Sequence, residues 1–204
     1  MNDGDLAGAL ISALNGDESG FAILWQAFQP PLLRYLRVIV GEAAEDVASE
    51  TWLQAARDLG RFQGDLGGFR VWMFRIARHR AIDDRRRLRR LGEDPYDLTV
   101  QDRLVLSPDA AVEAIDRLGT SWALEVIGTL PRDQAEAVML RVVAGLDVAQ
   151  TAQVLGKRPG AVRIAAMRGL RRLANHPQVL ARARARTSGP GSLSPVDSAQ
   201  PEGV

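Results

Sequence analysis

The sequence predicts an all-α protein of two small helical domains joined by an acidic linker. Three observations carry that prediction. Apolar residues recur at three- and four-residue spacing along most of the 204-residue chain. Residues 91–108 lose that period. Charge is segregated behind a net balance of only +1. Residues 1–60 hold three basic and nine acidic groups, 61–90 ten and three, 91–156 four and eleven, and 157–186 nine and none. Two basic blocks between acidic ones suggest two contacts with polyanions and one with something basic.

In chain order, Phe21, Leu24, Trp25, Phe28, Leu32, Leu33, Tyr35 and Leu36 keep helical spacing, with a kink or joint expected at Pro30 and Pro31. A second helix runs from Glu45 to Leu59. Its inner side is Val47, Trp52, Leu53 and Ala56, and Gly60 stops it. The glycine-rich loop RFQGDLGG, Arg61 to Gly68, precedes a basic helix from Phe69 to about Leu88. On a helical wheel Phe69, Trp72, Met73, Ile76 and Ala77 share one side, while Arg75, Arg78 and Arg85 face away. Arg80 falls on the apolar side, where Asp84 is within pairing distance. From Phe69 to Arg90 nine arginines meet two acids. Arginines pair with phosphates and aromatics stack on bases, so this helix is equipped for nucleic acid.

Residues 91–120, acidic and broken by proline, read as a linker, with a helix beginning at Pro108 behind Ser107. The domain limits are 1–90, then the linker, then 121–176. Residues 177–204 form a flexible tail that opens with the short helical stretch QVLARARAR.

The sharpest motif is LDVAQTAQVLGKRPGAVRIAAMRGLRRL, Leu146 to Leu173. Val148, Ala152 and Leu155 form the inner side of a short helix. Gly156 suits the positive φ of a tight turn, and Pro159 the first turn of the next helix. There Val162, Ala166, Leu170 and Leu173 stack inward. Gly160, Ala161, Ile164, Met167, Arg168 and Arg171 face out, with Arg163 on the flank. This is the pattern of a helix-turn-helix whose second helix reads a major groove.

Other classes fit poorly. No apolar run reaches 18 residues, and the amino end has no basic lead into an apolar segment. With zero cysteines there is no disulfide or thiol chemistry, so a cytoplasmic protein is expected. There is no glycine-rich phosphate loop and no zinc spacing. His79 and His176 lie in different domains, and Asp83 and Asp84 diverge on their helix, so no enzyme, cofactor or metal site is expected.

With both motifs in view, the layout resembles the extracytoplasmic-function, or group IV, sigma factors of bacterial RNA polymerase. AEDVASETWLQAARDLGRF resembles the family's core-binding helix, FRVWMFRIARHRAIDDRRR its promoter-melting helix, and Leu130 to Leu173 its region four. The resemblance implies core RNA polymerase (clamp and flap) and promoter DNA as partners, and leaves room for an anti-sigma factor. It places Glu45, Asp46, Glu50, Trp52 and Leu53 on the polymerase-docking surface, with Trp52 equally readable as core. Ser49 stands where relatives often carry glutamine. The resemblance assigns minus-ten contacts to Arg61, Phe62, Phe74, Arg75, Arg78, His79 and Arg80. It assigns minus-thirty-five contacts to Lys157, Arg158, Ala161, Arg163, Ile164, Arg168 and Arg171. Apolar Ala161 and Ile164 imply readout that leans on DNA shape or thymine methyls. The other function open to the same residues is a stand-alone helix-turn-helix regulator, which binds duplex DNA without polymerase.

Overall fold

A computed structural model describes residues 2–90 and 121–187, and all regular structure in them is helical. The expected linker, its helix after Ser107 and the chain beyond 187 lie outside the described residues. The first bundle comprises α1 (Asp3–Leu14), α2 (Glu18–Val40), α3 (Ala44–Asp58) and α4 (Leu66–Arg90). The second comprises α5 (121–128), α6 (Arg132–Val138), α7 (Val148–Leu155), α8 (Pro159–Ala174) and α9 (Pro177–Thr187).

Local chemistry fixes most helix ends. Asn2 and Asp5 form a reciprocal capping box on α1, and the Asp17 carboxylate accepts from the Ser19 amide to open α2. Hydrogen bonds from Ser19 hold the Asp17 carboxyl below its usual range. Gly20 sets the spacing of α1 on α2, because a Cβ there would lie 2.6 Å from the Ala9 carbonyl oxygen.

Pro30 and Pro31 do not break the chain into two helices: α2 is one helix through both. The carbonyls that these prolines leave without donors belong to Gln26 and Ala27. Gln26 is exposed and Ala27 half-buried, so water can reach that side of the helix.

Helix α2 is the axis of the molecule, packing on α1, α3, α4 and α6. Its rings meet those of its neighbours edge to face: Phe21 with Trp52, Phe28 with Phe69 and Tyr35 with Phe74, at 5.3–5.6 Å between centroids. Each such pair adds about 0.5–1.5 kcal/mol beyond its burial. On α3 the inner side is Ala44, Val47, Ala48, Thr51, Trp52 and Ala55. Leu53 and Ala56 face solvent instead of the core, because the buried arc is centred one step earlier on the wheel.

In the second bundle α6 runs directly into a π-helical turn, Met139–Val143, where the Ala144 amide donates to the Met139 carbonyl at 3.0 Å. Gly145 then takes φ 68°, letting the chain reverse into α7. The short helical stretch expected at the start of the tail is helix α9, Pro177–Thr187. Pro177 starts that helix, and the Arg182 guanidinium sits 4.7 Å from the centroid of Trp122.

The two bundles share one apolar core. Helix α4 packs on α7, and α2 on α6 and the π turn, so that Leu24, Leu36 and Phe74 belong to the same cluster as Met139, Leu140 and Leu155.

Candidate nucleic-acid interface

Two surfaces carry the chemistry expected of DNA contacts. The first surrounds the turn before α4. Here the chain leaves a 3-10 turn, Leu59–Arg61, and the Asp65 carboxylate caps α4 by accepting from the Gly68 amide at 2.7 Å. Gly64 takes φ 153°, and a Cβ there would lie 3.0 Å from the Phe62 ring, so the loop closes over that ring only with glycine. Phe62 stacks obliquely on Trp72 at 5.2 Å and meets Phe69 edge-on at 5.7 Å. The result is a cleft of about 310 Å³ walled by Phe62 and Trp72 and rimmed by Arg61, Gln63 and Arg75, with Gln153 of α7 closing one side. Aromatic walls with a cationic rim suit an unstacked base and its phosphates.

The second surface is α8. Asp147 and Gln150 form the capping box of α7, Gly156 ends it in the left-handed conformation at φ 64°, and Pro159 opens α8. Val162 is the fully buried anchor of α8. Gly169 lets the helix approach α6, since a Cβ there would lie 2.8 Å from a methyl of Val138. The inner ridge is therefore Val162, Gly169 and half-buried Leu173, with half-buried Ala165 and Ala166 beside it. Leu170, expected inside, is 48% exposed. The close approach at Gly169 turns the neighbouring Leu170 away.

Comparison with known proteins settles what these two surfaces belong to. The sequence matches the Sigma-70 region 2 family over residues 24–91 and the Sigma-70 region 4 family over residues 121–173. It is 34% identical over 186 residues to the ECF RNA polymerase sigma factor ShbA of Streptomyces griseus, covering 81% of this chain and 92% of that one. The chain belongs to the ECF RNA polymerase sigma factors.

BldN, an ECF sigma factor of Streptomyces coelicolor, is 33% identical over 162 residues; the match covers 78% of this chain and 61% of the longer BldN. Among solved structures, the fold is similar to the sigma factor RpoE of Bartonella quintana, crystallised with the anti-sigma factor NepR. The TM-score is 0.61 at 21% identity, over 79% of this chain and 96% of that one.

The ECF sigma factor's region two places the expected minus-ten residues unequally. Arg61, Phe62 and Arg75 meet at the cleft. Exposed His79 lies one turn beyond Arg75 and does not line it. Phe74 is a correction: it is 1% exposed, edge-on to Tyr35 in the shared core, and has no face for DNA. The ring that meets it, Tyr35, comes from α2, which the periodicity of α4 does not reveal. Arg80 does not pair with Asp84. Its Nε donates to Gln54 Oε1 at 3.0 Å, and Asp84 pairs with Arg87 at 2.9 Å. Arg78 faces region four rather than solvent, its Nε 3.0 Å from Glu136 Oε2.

In region four, Arg158, Ala161, Arg163, Ile164, Arg168 and Arg171 are all exposed. Arg158, Arg163, Arg168 and Arg171 make no ion pair among the described residues. Ile164, Met167 and Leu170 add an exposed apolar strip. Lys157, the only lysine of the sequence, is held by Asp133 at 2.6 Å.

On α3, Asp46 and Glu50 are exposed, Glu45 is exposed with Arg37 at 3.5 Å, and Leu53 is 58% exposed. Trp52 is core: it is 7% exposed, and its indole N–H donates to Gln29 at 2.6 Å. The exposed aromatic of this side is Trp25, at 45%. It lies one turn from both Phe21, whose ring meets Trp52, and Gln29, which accepts the Trp52 hydrogen bond. Sequence reading placed Trp25 in the apolar stripe of α2. Only the packing of α3 shows that it sits at the rim.

Proposed function

We propose that this ECF sigma factor acts in the cytoplasm as a binding subunit rather than a catalyst. On this reading region two takes a minus-ten base into the cleft, against the joined wall of Phe62 and Trp72. Arg61 and Arg75 hold the flanking phosphates, and His79 and Arg80 lie further along the strand. Region four lays α8 in the major groove of the minus-thirty-five element. Arg158 and Arg163, nearest the amino end of α8, read bases, and Arg168 and Arg171 hold phosphates. Ala161 and Ile164 offer only apolar contact, which favours thymine methyls. The observation that carries the reading is the pairing, in one chain, of an aromatic-walled, arginine-rimmed cleft with an exposed recognition helix. Extracting a base costs a few kcal/mol, which stacking in such a cleft offsets.

Core polymerase docks on the outer face of α3 in this reading. Asp46 and Glu50 meet a basic partner surface, while Leu53 and Trp25 supply the apolar contact expected of an interface centre. An anti-sigma factor is a further proposed partner, by analogy with the RpoE–NepR complex.

The deciding experiment is reconstitution of core polymerase with the purified chain, followed by transcription from promoter DNA enriched by that holoenzyme. Promoter-specific transcripts that core alone does not make are expected. Asp46→Arg with Glu50→Arg should weaken core binding, most of all at low salt. A chain that binds duplex DNA tightly by itself and never retains core polymerase would instead be a stand-alone regulator.

A further inference from the structure

We propose that the two DNA-binding modules hold each other shut through a buried carboxylate. Glu136 of α6 occupies the Arg78 guanidinium in place of a DNA phosphate, and the chain must break this contact to engage the promoter strand. The inference rests on the sigma-factor reading above and adds a regulated state to it.

Glu136 is 2% exposed, and both its oxygens are used. Oε2 accepts from Arg78 Nε at 3.0 Å and Oε1 from Arg132 Nε at 2.8 Å. Arg132 sits one turn before Glu136 on α6, so their bond travels with region four. The bond to Arg78 links the bundles and is lost when they separate. The contact is therefore specific to the closed form, and it consumes one cation of the basic helix.

A second contact lies along α4. Gly67 faces α7 so closely that a Cβ would lie 3.2 Å from Gln150 Nε2, and Gln153 walls the cleft of Phe62, Trp72 and Arg75. The first helix of the helix-turn-helix thus stands at the side of the base cleft. Closure withholds Arg78 and narrows access to the cleft in one movement.

The balance of forces makes the latch reversible. Apolar burial across the shared core favours closure. The intact ion pair adds little net stability, because desolvating both charges nearly cancels their attraction, but removing the carboxylate alone leaves the Arg78 charge uncompensated in the closed form and so favours opening. On opening, both charges return to water, so neither is stranded. Tyr35, beside Glu136, has its hydroxyl buried without a hydrogen-bond partner among the described residues. Burial and the neighbouring carboxylate push its ionisation well above the usual range, so it stays neutral. An unpaired buried hydroxyl disfavours the closed form, and water would satisfy it in the open one. A partner that binds only the separated modules then shifts the equilibrium by its differential affinity.

The test uses the full chain, which has no native cysteine. In one arm Glu136→Gln removes the charge and keeps the shape. Binding of a labelled AT-rich single-stranded oligonucleotide, without polymerase, should tighten at least about fivefold, the lower end of ordinary coupling between sites. In the other arm Gly67→Cys and Gln150→Cys are joined by a short reducible bis-thiosulfonate cross-linker. The locked chain should lose single-strand binding and holoenzyme transcription, and a reductant should restore both. Equal single-strand binding by locked and reduced chains overturns the latch, as does unchanged binding by folded Glu136→Gln. If Glu136→Gln does not fold, the cross-link arm alone decides. Failure of the reduced chain to direct any promoter-specific transcription would sink the sigma-factor reading itself. Full transcription by the locked chain sinks only the latch.

Discussion

The arginines of α4 and those of α8 have the same chemistry and opposite circumstances. On α4 most are engaged: Arg70 with Asp3, Arg78 with Glu136, Arg80 with Gln54, Arg86 with Asp83 and Arg87 with Asp84. Arg158 at the amino end of α8, and Arg163, Arg168 and Arg171 on it, stand exposed with no ion pair among the described residues. Region two also carries the rings, with Phe62, Phe69, Trp72 and Phe74 around α4, whereas no aromatic occurs in α7 or α8. A site that must unstack a base needs a rigid aromatic wall, and the same rings serve as core. A helix that reads an intact duplex, as proposed for α8, needs only a smooth face that fits the groove, and α8 has alanines, glycine and exposed aliphatics there. Region two therefore couples its function to its stability, and region four largely separates them.

The sharpest way to break this comparison is Phe74→Ala. Removal of a fully buried ring should cost about 3–5 kcal/mol and lower the melting temperature strongly. A folded Phe74→Ala chain with a selective defect in strand binding would return Phe74 to the DNA surface. Gly169→Ala tests the corresponding point in region four. A Cβ forced against Val138 should cost about 1–3 kcal/mol, seen in chemical denaturation, although glycine sits mid-helix where alanine is ordinarily better.

Arg163→Ala should leave stability unchanged and alter base preference by about 1–3 kcal/mol in holoenzyme binding to matched and mutated minus-thirty-five DNA. Equal loss on both DNAs would make Arg163 a phosphate contact. Arg171→Ala should weaken binding evenly across sequences and flatten the salt dependence by about one unit of slope. The smallest effect belongs to Arg86→Gln. Its exposed pair with Asp83, at 3.8 Å, should be worth under about 0.5 kcal/mol to the stability of α4.

What the sequence made legible follows the range of the interactions involved. The helix-turn-helix was readable because its signals are local: Gly156 at the turn and Pro159 at the next helix start are needed by backbone geometry within a few residues. The basic helix was equally plain, although it begins at Leu66, where Asp65 caps it, rather than at Phe69. Leu170 was misplaced because the contact at Gly169 is set by α6, some thirty positions away. Phe74, Trp52 and Trp25 were ambiguous for the same reason: which ring is core and which is rim depends on neighbouring helices. The Arg78–Glu136 contact was beyond reach, since it joins modules on either side of the linker.

Lys157 has one more consequence. It is the only lysine in 204 residues, sits between α7 and α8, and is partly accessible beside Asp133. An acylating reagent therefore finds a single side-chain amine, located at the hinge of the DNA-reading motif. Acylation there would remove one positive charge next to the groove and release Asp133 into the same field, two changes of the same sign. A mild amine-reactive dye would accordingly yield a molecule carrying one internal reporter, placed beside the proposed duplex-binding helix.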